Sequence, residues 1–485
     1  MDRHASTIAD KTKPPQVRLL INGEWVDGSG HRATLQDKFR LQAIATIGAA
    51  DATQVRQAVD AAYAAFRKGS MLAYDRGAVL ERAAILVEER FADFVRTMQL
   101  EAGFTLTDAT GETKRCIQTL KLSAEEARRM VGDVIPLDGA PGQVGRMGFT
   151  IRVPLGVVAA ITPFNSPLNT VTHKVAPAFA AGNAVILKPS TQTPLTACKL
   201  AEVLIDAGMP KGFLSVLHGS AEVVKILQDD ERVRFFAFTG STEVGRKIQQ
   251  AAGLRRTQME LGSIAFTILC DDAKLDVALP KVINAGYRKA GQVCTSVQLL
   301  LVHESLQAEV EAKLTPLVQS LQFGDPQDPK TFVGPVISEG AAVRIENWVN
   351  EAITAGAQRL VGGPRVGAVI PPTLLTNINS SMQVGCCEIF GPVVCIVPFK
   401  TLDQAIDRVN ATPFGLATGL FTNRLGDALK AAQKIEVGGV HINETSSSRV
   451  DLMPYGGSKD SGFGREGPHY SVREMTEERI ITITT

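Results

Sequence analysis

The sequence predicts an α/β protein: two units, each a parallel sheet covered by helices, and a small β hairpin leaving the body. At 485 residues the chain is too long for one hydrophobic core, so two or three packed units are expected. From Val157 onward, short apolar runs at 157–161, 184–187, 214–217, 235–238 and 266–269 alternate with helix-length segments bounded by Gly, Pro, Ser and Thr. Strands buried on both faces read as such continuous runs, and their alternation with helices marks βαβ units. A second series at 298–303, 394–399, 418–421 and 439–442 repeats the rhythm, which gives two α/β units in tandem.

Ahead of these series, Leu20-Ile-Asn-Gly-Glu-Trp-Val26 reads as a short strand and turn. Asp51 stands where a helix N-cap belongs, and Val55, Val59, Ala62 and Phe66 follow at helical spacing. A second helical stretch is expected from about Val79 to Met98, stopping near Gly103. Residues from about 131 to 152 are rich in Gly and lead into the alternation Phe149, Ile151, Val153, a hairpin pattern. The β-branched end Ile480-Ile-Thr-Ile-Thr484 is suited to pair with it.

Composition narrows the partners. Lys plus Arg number 51 against 50 Asp plus Glu, so nothing favours nucleic acid or an acidic membrane surface, and a small molecule fits better. No apolar run approaches the ~20 residues that span a bilayer. The opening MDRHASTIADKTKPPQ lacks the apolar stretch of a secretory leader, so a cytoplasmic protein is expected. Seven cysteines, an odd number without a CxxC pair, do not form a disulfide framework. The histidines are scattered from His4 to His469, and no metal site is expected.

Four motifs bear on chemistry. Gly462-Phe-Gly-Arg-Glu-Gly467 matches the GxGxxG dinucleotide fingerprint, but a working copy follows a strand, opens a helix and needs an acid ~20 residues on. Here polar Ser458-Lys-Asp-Ser461 precedes it, Pro468 follows at once, and too little chain remains; the match is set aside. Phe238-Thr-Gly-Ser-Thr-Glu-Val-Gly245 is more telling, since a strand, a tight turn at Gly240 and Ser241 and a helix start make an anion site. A capped helix without ligand fits that spacing equally. Lys188 ends the run Ala184–Leu187, where parallel sheets bind ligands, although a solvated lysine is the better reading of that residue alone. Cys294 lies in the Gly-bounded polar turn Gly291-Gln-Val-Cys-Thr-Ser-Val297, where a thiol can be exposed and activated. Cys270 and the other five cysteines read as packing.

Taken together in order, these segments resemble the aldehyde dehydrogenase superfamily over nearly the whole chain. Pro163-Phe-Asn165 is similar to its oxyanion motif, Lys188-Pro-Ser-Thr191 to its adenosine-ribose motif, and Phe238–Gly245 to its pyrophosphate turn. Met259-Glu-Leu-Gly262 resembles the general-base motif and Gly291-Gln-Val-Cys294 the nucleophile motif. Glu388-Ile-Phe-Gly-Pro-Val393 resembles the nicotinamide-ribose motif, and Tyr455-Gly-Gly with Ser461-Gly-Phe-Gly-Arg465 the carboxyl-terminal signature.

The resemblance implies NAD(P)-dependent oxidation of an aldehyde to a carboxylic acid through a cysteine thiohemiacetal and thioester. It assigns Cys294 as nucleophile, Asn165 with the Cys294 backbone N–H as oxyanion donors, and Glu260 as the base that activates water. It also gives Lys174 a supporting catalytic role. Lys188, Thr191, Gly240, Ser241, Glu388 and Phe390 are implied to hold NAD or NADP. Relatives that prefer NAD often carry Glu where this chain has Thr191, so NADP is expected to be accepted and is the candidate for preference. The family pattern implies a Rossmann-like cofactor domain over 1–130 and 153–262, a Rossmann-like catalytic domain over 263–455, and an oligomerisation segment over 131–152 and 466–485 that builds a homodimer or homotetramer.

Three departures from the pattern bear on substrate and packing. Ser263-Ile264 replaces the Gly-Lys that often continues the base motif, a matter of local packing. The stretches 164–169 and 449–457 look most like the lactaldehyde-type subgroup. Val293 stands where relatives that take anionic aldehydes often place Arg, and Ser166 where some carry His, so a neutral aldehyde is expected. Arg449 is the remaining candidate cation, against a salt bridge inside the Arg449–Asp451 turn. The competing functions are a CoA-acylating semialdehyde dehydrogenase, which Glu260 argues against, and an inactive binding paralogue, which the intact motif residues argue against.

Overall fold

The computed structural model describes residues 14–69 and 71–484. The opening stretch read as lacking a leader therefore lies almost wholly outside the described residues. Two sheets dominate, each around its own hydrophobic core. The first orders its strands Gly462–Phe463, Arg256–Glu260, Val233–Thr239, Val157–Ile161, Ala184–Lys188, Leu214–Val216, Leu19–Ile21 and Glu24–Val26. The second runs Gln358–Val361, Thr373–Thr376, Val393–Phe399, Val297–His303, Ala265–Leu269, Ala417–Phe421 and Gly439–Ile442. Pairing is parallel through the middle of both; it is antiparallel at both edges of the first sheet and at the Gln358–Val361 edge of the second, whose other edge, Gly439–Ile442, is parallel. The apolar runs are the central strands: Val157–Ile161 and Ala265–Leu269 are buried at every position.

Local chemistry accounts for the ends. Asp51 caps Ala52–Lys68 by accepting the Gln54 N–H, and Gln54 answers to the Asp51 N–H, a reciprocal capping box. Leu19–Ile21 and Glu24–Val26 form a hairpin turning on Asn22-Gly23, both at positive φ, the conformation an Asn-Gly pair favours. The single helix expected over 79–98 is two, Ala73–Glu89 and Phe91–Glu101, because Arg90 leaves helical geometry (ψ 18). Its side chain pairs with Asp206 at 2.6 Å. A long helix, Leu106–Arg129, was not foreseen, although Thr105 caps it through the Asp108 N–H.

Thr476–Thr484 pairs antiparallel with Arg146–Pro154, which also carries Val134–Ile135, so the expected partnership between carboxyl terminus and hairpin is present. The stretch before it is different: Pro468–Glu474 is a helix, and Val472 and Met475 are buried in the first core. Among the described residues no helix is long and apolar enough to cross a membrane. The architecture brings the carboxyl ends of the first sheet against the amino ends of the second. Lys188, Thr239 and Glu260 end their strands, whereas Cys294 and Glu388 lie just ahead of theirs.

Candidate active site

The loop that carries Cys294 is held by its backbone conformation. After the helix Leu275–Tyr287, Lys289, Ala290 and Gly291 take φ of 52°, 52° and 71° in succession. Left-handed geometry at a non-glycine residue costs roughly 1–2 kcal/mol, so two in a row require neighbours that impose them. Those neighbours are present. Lys289 donates its N–H to Asp108 (3.2 Å) and its ammonium to Glu112 (2.7 Å) and the Asn165 carbonyl (3.1 Å). Gly291 is the position that admits no side chain, because a Cβ there would run into the Gly391 carbonyl. The Cys294 loop and the Glu388 loop are thus in backbone contact.

Cys294 is half-buried, with its sulfur 2.7 Å from the Tyr455 hydroxyl. Burial and then the Glu260 carboxylate push its thiol well above the ordinary range, against Tyr455 and Arg449. The expected exposed, activated cysteine is therefore a protonated thiol in this state. Burial, followed by Glu466, raises Glu260 to about 7. Its Oε1 is buried without a partner among the described residues. Asn165 is held by its carbonyl, while its side-chain amide and the Cys294 N–H make no hydrogen bond among the described residues.

Behind this group lies a buried ion cluster. Lys174, on the helix Asn169–Ala180, pairs with Glu466 at 2.7 Å, and Arg449 reaches the other Glu466 oxygen at 3.2 Å. The Arg449 guanidinium lies 3.7 Å from the centre of the Tyr455 ring. Burial works to raise Glu466, but Lys174 and Arg449 outweigh it and hold the group ionised. Lys174 thus bonds Glu466 and not the thiol.

Cys294, Glu260 and Asn165 line two cavities at once. The larger, about 310 Å³, also touches Gly240, Ser241, Glu388 and Phe390. Ser241, which lines it, caps the helix Thr242–Ala252 by accepting the Val244 N–H. Glu388 accepts the Ser263 N–H at 2.9 Å, and burial lifts its carboxyl to about 7. Phe390 sits at φ 50°, with its ring edge-on to Phe164 at 5.8 Å. Thr191 lies apart, in a second cavity of about 480 Å³ that it shares with Asp51, Gly219 and Glu222. Lys188 ends its strand with its ammonium on the Pro189 carbonyl (3.2 Å), and burial lowers it to about 8. The set-aside GxGxxG stretch forms a two-residue antiparallel strand, Gly462–Phe463, and a helix start, not a parallel βαβ turn.

The family model for the aldehyde dehydrogenase family matches residues 25–481. The chain belongs to that family. It is 45% identical over 473 residues to the 3-sulfolactaldehyde dehydrogenase of Priestia aryabhattai, covering 97% of this chain and 99% of that one. Among solved structures, aldehyde dehydrogenase 21 from Physcomitrella patens in complex with succinate superposes with a TM-score of 0.94 at 38% identity, covering 97% of this chain and 99% of that one. The NADP-dependent glyceraldehyde-3-phosphate dehydrogenase from Bacillus halodurans, complexed with NADP, superposes with a TM-score of 0.94 at 32% identity, again covering 97% and 99%. This aldehyde dehydrogenase is an oxidoreductase, and the resemblance read from the motifs holds.

The second cavity next to Cys294 in this aldehyde dehydrogenase is small, about 50 Å³, and rich in cations that sequence reading missed. Arg115, from the unforeseen helix, makes a double bond-pair with Asp451 at 2.6 and 3.2 Å. Arg288 donates to the Ser447 hydroxyl at 2.7 Å and pairs with no carboxylate among the described residues. The alternative reading of Arg449, a salt bridge inside the Arg449–Asp451 turn, is not the arrangement found. Arg449 belongs to Glu466 and Asp451 to Arg115 and His173. Arg449 is therefore not the one cation at this cavity, since Arg115, Arg288 and Lys289 line it too. Arg288 was legible as the residue six before Cys294; Arg115 needed the fold. The reading of every cysteine but Cys294 as packing also fails at Cys386, which is exposed.

Proposed function

We propose that this aldehyde dehydrogenase oxidises a short anionic aldehyde to its acid through Cys294, with hydrolysis of the thioester. The observation that carries the reading is the shared wall. Cys294, Glu260 and Asn165 border both the cavity lined by Gly240, Ser241, Glu388 and Phe390 and the cation-rich cavity beyond. Cys294 gives its proton to Glu260 or water, and the thiolate adds to the aldehyde carbon. The Asn165 amide and the Cys294 N–H, both without a partner among the described residues, receive the developing oxyanion. When bound, the nicotinamide supplies the hydride acceptor. Gly240 and Ser241 at a helix start fit its phosphates, and the Glu388 carboxyl fits its ribose. Glu260, having passed on to solvent any proton taken from the thiol, then takes a proton from water, which attacks the thioester; the acid leaves and the expelled Cys294 thiolate is reprotonated. Lys174 and Arg449 act through Glu466, fixing the charge beside Glu260.

Both NAD and NADP serve this reading. Thr191 puts no carboxylate of its own against a 2′-phosphate, although Asp51 and Glu222 line the same cavity. The three-part layout, with the hairpin sheet joining copies of the chain, belongs to the same proposal.

The substrate class departs from the neutral aldehyde expected from sequence. A half-buried guanidinium with a hydroxyl partner and, among the described residues, no carboxylate paired to it suits a substrate anion, and Arg288 with Ser447 is that arrangement. The relative named for 3-sulfolactaldehyde and the structure holding succinate both concern anionic compounds. The test is a panel of lactaldehyde, 3-sulfolactaldehyde and succinic semialdehyde with wild-type enzyme and Arg288→Gln. An anionic aldehyde should win in kcat/KM, and Arg288→Gln should cut that advantage by about tenfold or more, the worth of one charge-assisted bond. A wild-type preference for lactaldehyde would refute the anionic reading and restore the neutral one.

A further inference from the structure

Two cysteines stand side by side immediately before Glu388. Cys386 closes the short helix Gln383–Cys386, and Cys387 follows in extended backbone (φ −121°, ψ 152°), their sulfurs 3.8 Å apart. Cys386 is exposed and Cys387 half-buried, whereas Cys116, Cys198, Cys270 and Cys395 are buried. The mechanism above uses neither thiol.

One side chain ties this pair to the loop that follows. Gln298, buried on the strand Val297–His303, donates to the carbonyls of Val384 (3.0 Å) and Cys387 (2.7 Å) and accepts the Ile389 N–H (3.0 Å). The backbone on both sides of Glu388 is thus held by a single amide, and the Glu388 carboxylate is in turn set against the Ser263 N–H. A torsion imposed at 386–387 passes directly into Glu388.

We propose that Cys386 and Cys387 form a reversible dithiol–disulfide site that displaces Glu388 when oxidised, the oxidant being a low-molecular-weight disulfide such as oxidised glutathione. The Cys386 thiolate attacks the small disulfide and releases one small thiol. Cys387 then attacks the Cys386 sulfur of the mixed disulfide and releases the second. Two protein S–H bonds give one S–S bond, and the two protons and two electrons leave in two small thiols. Adjacent Cα atoms lie about 3.8 Å apart across a trans peptide, shorter than the usual ~4.4–6.8 Å span of a disulfide. The closed ring is therefore strained and easily reduced, as a regulatory bridge must be. The effect on Glu388 rests on its reading as a cofactor anchor; the thiol chemistry does not.

The test equilibrates wild-type enzyme and Cys386→Ser in glutathione redox buffers. Peptide mass spectrometry reads the bridge, and calorimetric titration reads cofactor Kd. The expected result is a peptide holding Cys386 and Cys387 that has lost two hydrogens. With it should come a rise of about tenfold in Kd, the loss of one charge-assisted hydrogen bond. Dithiothreitol should reverse both, and Cys386→Ser should show neither. Phenylarsine oxide, which bridges neighbouring thiols with loss of one water, should block the oxidation. Glutathione adducts without the internal bridge would overturn the proposal, and so would a bridge that leaves Kd unchanged. Reduced wild-type enzyme that binds no nicotinamide cofactor would overturn the role of Glu388 and with it the control, while mass would still report whether the bridge forms.

Discussion

Burial shifts the titration of both Cys294 and Glu260 upward. The thiol is kept neutral by burial and by Glu260, and the carboxyl is raised to about 7 by burial and by Glu466. If Cys294 is the nucleophile, Cys294→Ala abolishes aldehyde oxidation while cofactor still binds, since the other cysteines lie outside both cavities that Glu260 borders. Retained turnover by that variant would end the mechanism. Asn165→Ala should lower kcat by about 10²–10³, the usual loss for one oxyanion donor, and a smaller loss would assign Asn165 elsewhere. The pH dependence follows from Glu260. A base works as its carboxylate, so thioester hydrolysis should rise as pH rises through about 7 and level off above it. At about pH 6 the rate should be roughly a tenth of the plateau. Glu260→Gln should flatten that profile and leave acyl adduct on Cys294, detectable by mass after a single turnover. A profile unchanged by Glu260→Gln would show that another group activates the water.

At the scale of elements, the helix Thr242–Ala252 and the strand Arg256–Glu260 must approach closely enough to border together the larger cavity beside Cys294, read above as the cofactor's. Gly245 sets that approach, because a Cβ on it would strike the Leu261 side chain. Gly245→Ala should push the helix start outward and raise cofactor Kd by about tenfold, while alkylation of Cys294 keeps its wild-type rate. Equal cofactor affinity in both proteins would mean that Leu261 yields and the helix does not move. This turn was legible in sequence because strand, glycine and cap are adjacent in the chain, as were Glu260 and Cys294 within their motifs. Arg115, Tyr455 and Glu466 were not given roles for a physical reason. Each acts across more than a hundred residues of chain, Tyr455 on Cys294, Glu466 on Lys174 and Arg115 on Asp451, and no local pattern records such contacts. The helix Leu106–Arg129 escaped notice because it mixes buried polar residues such as Glu112, Thr113 and Thr119 into its inner face, which blurs the apolar period.

For the whole molecule, the decisive feature is the edge of the hairpin sheet. Thr476–Thr484 pairs along one side with Arg146–Pro154, and the sheet ends at that strand. A nine-residue edge strand presents a row of unpaired N–H and C=O groups, and this one adds apolar side chains. Ile480 is 52% exposed, Ile483 47% and Met147, opposite Ile483, 59%. An open edge of this kind invites aggregation, and pairing with a second copy would satisfy it. The enzyme should therefore sediment as a homo-oligomer. Replacing both Ile480 and Ile483 with Lys places two charges in the contact and should shift the protein toward monomer, as sedimentation velocity over a concentration series would read. The cores that form the active site lie in the two large sheets, so circular dichroism of the variant should remain that of a folded chain. Wild-type protein that sediments as a monomer at every concentration would sink the idea. So would a double variant whose oligomer is as stable as the parent's, because the contact would then lie on another face.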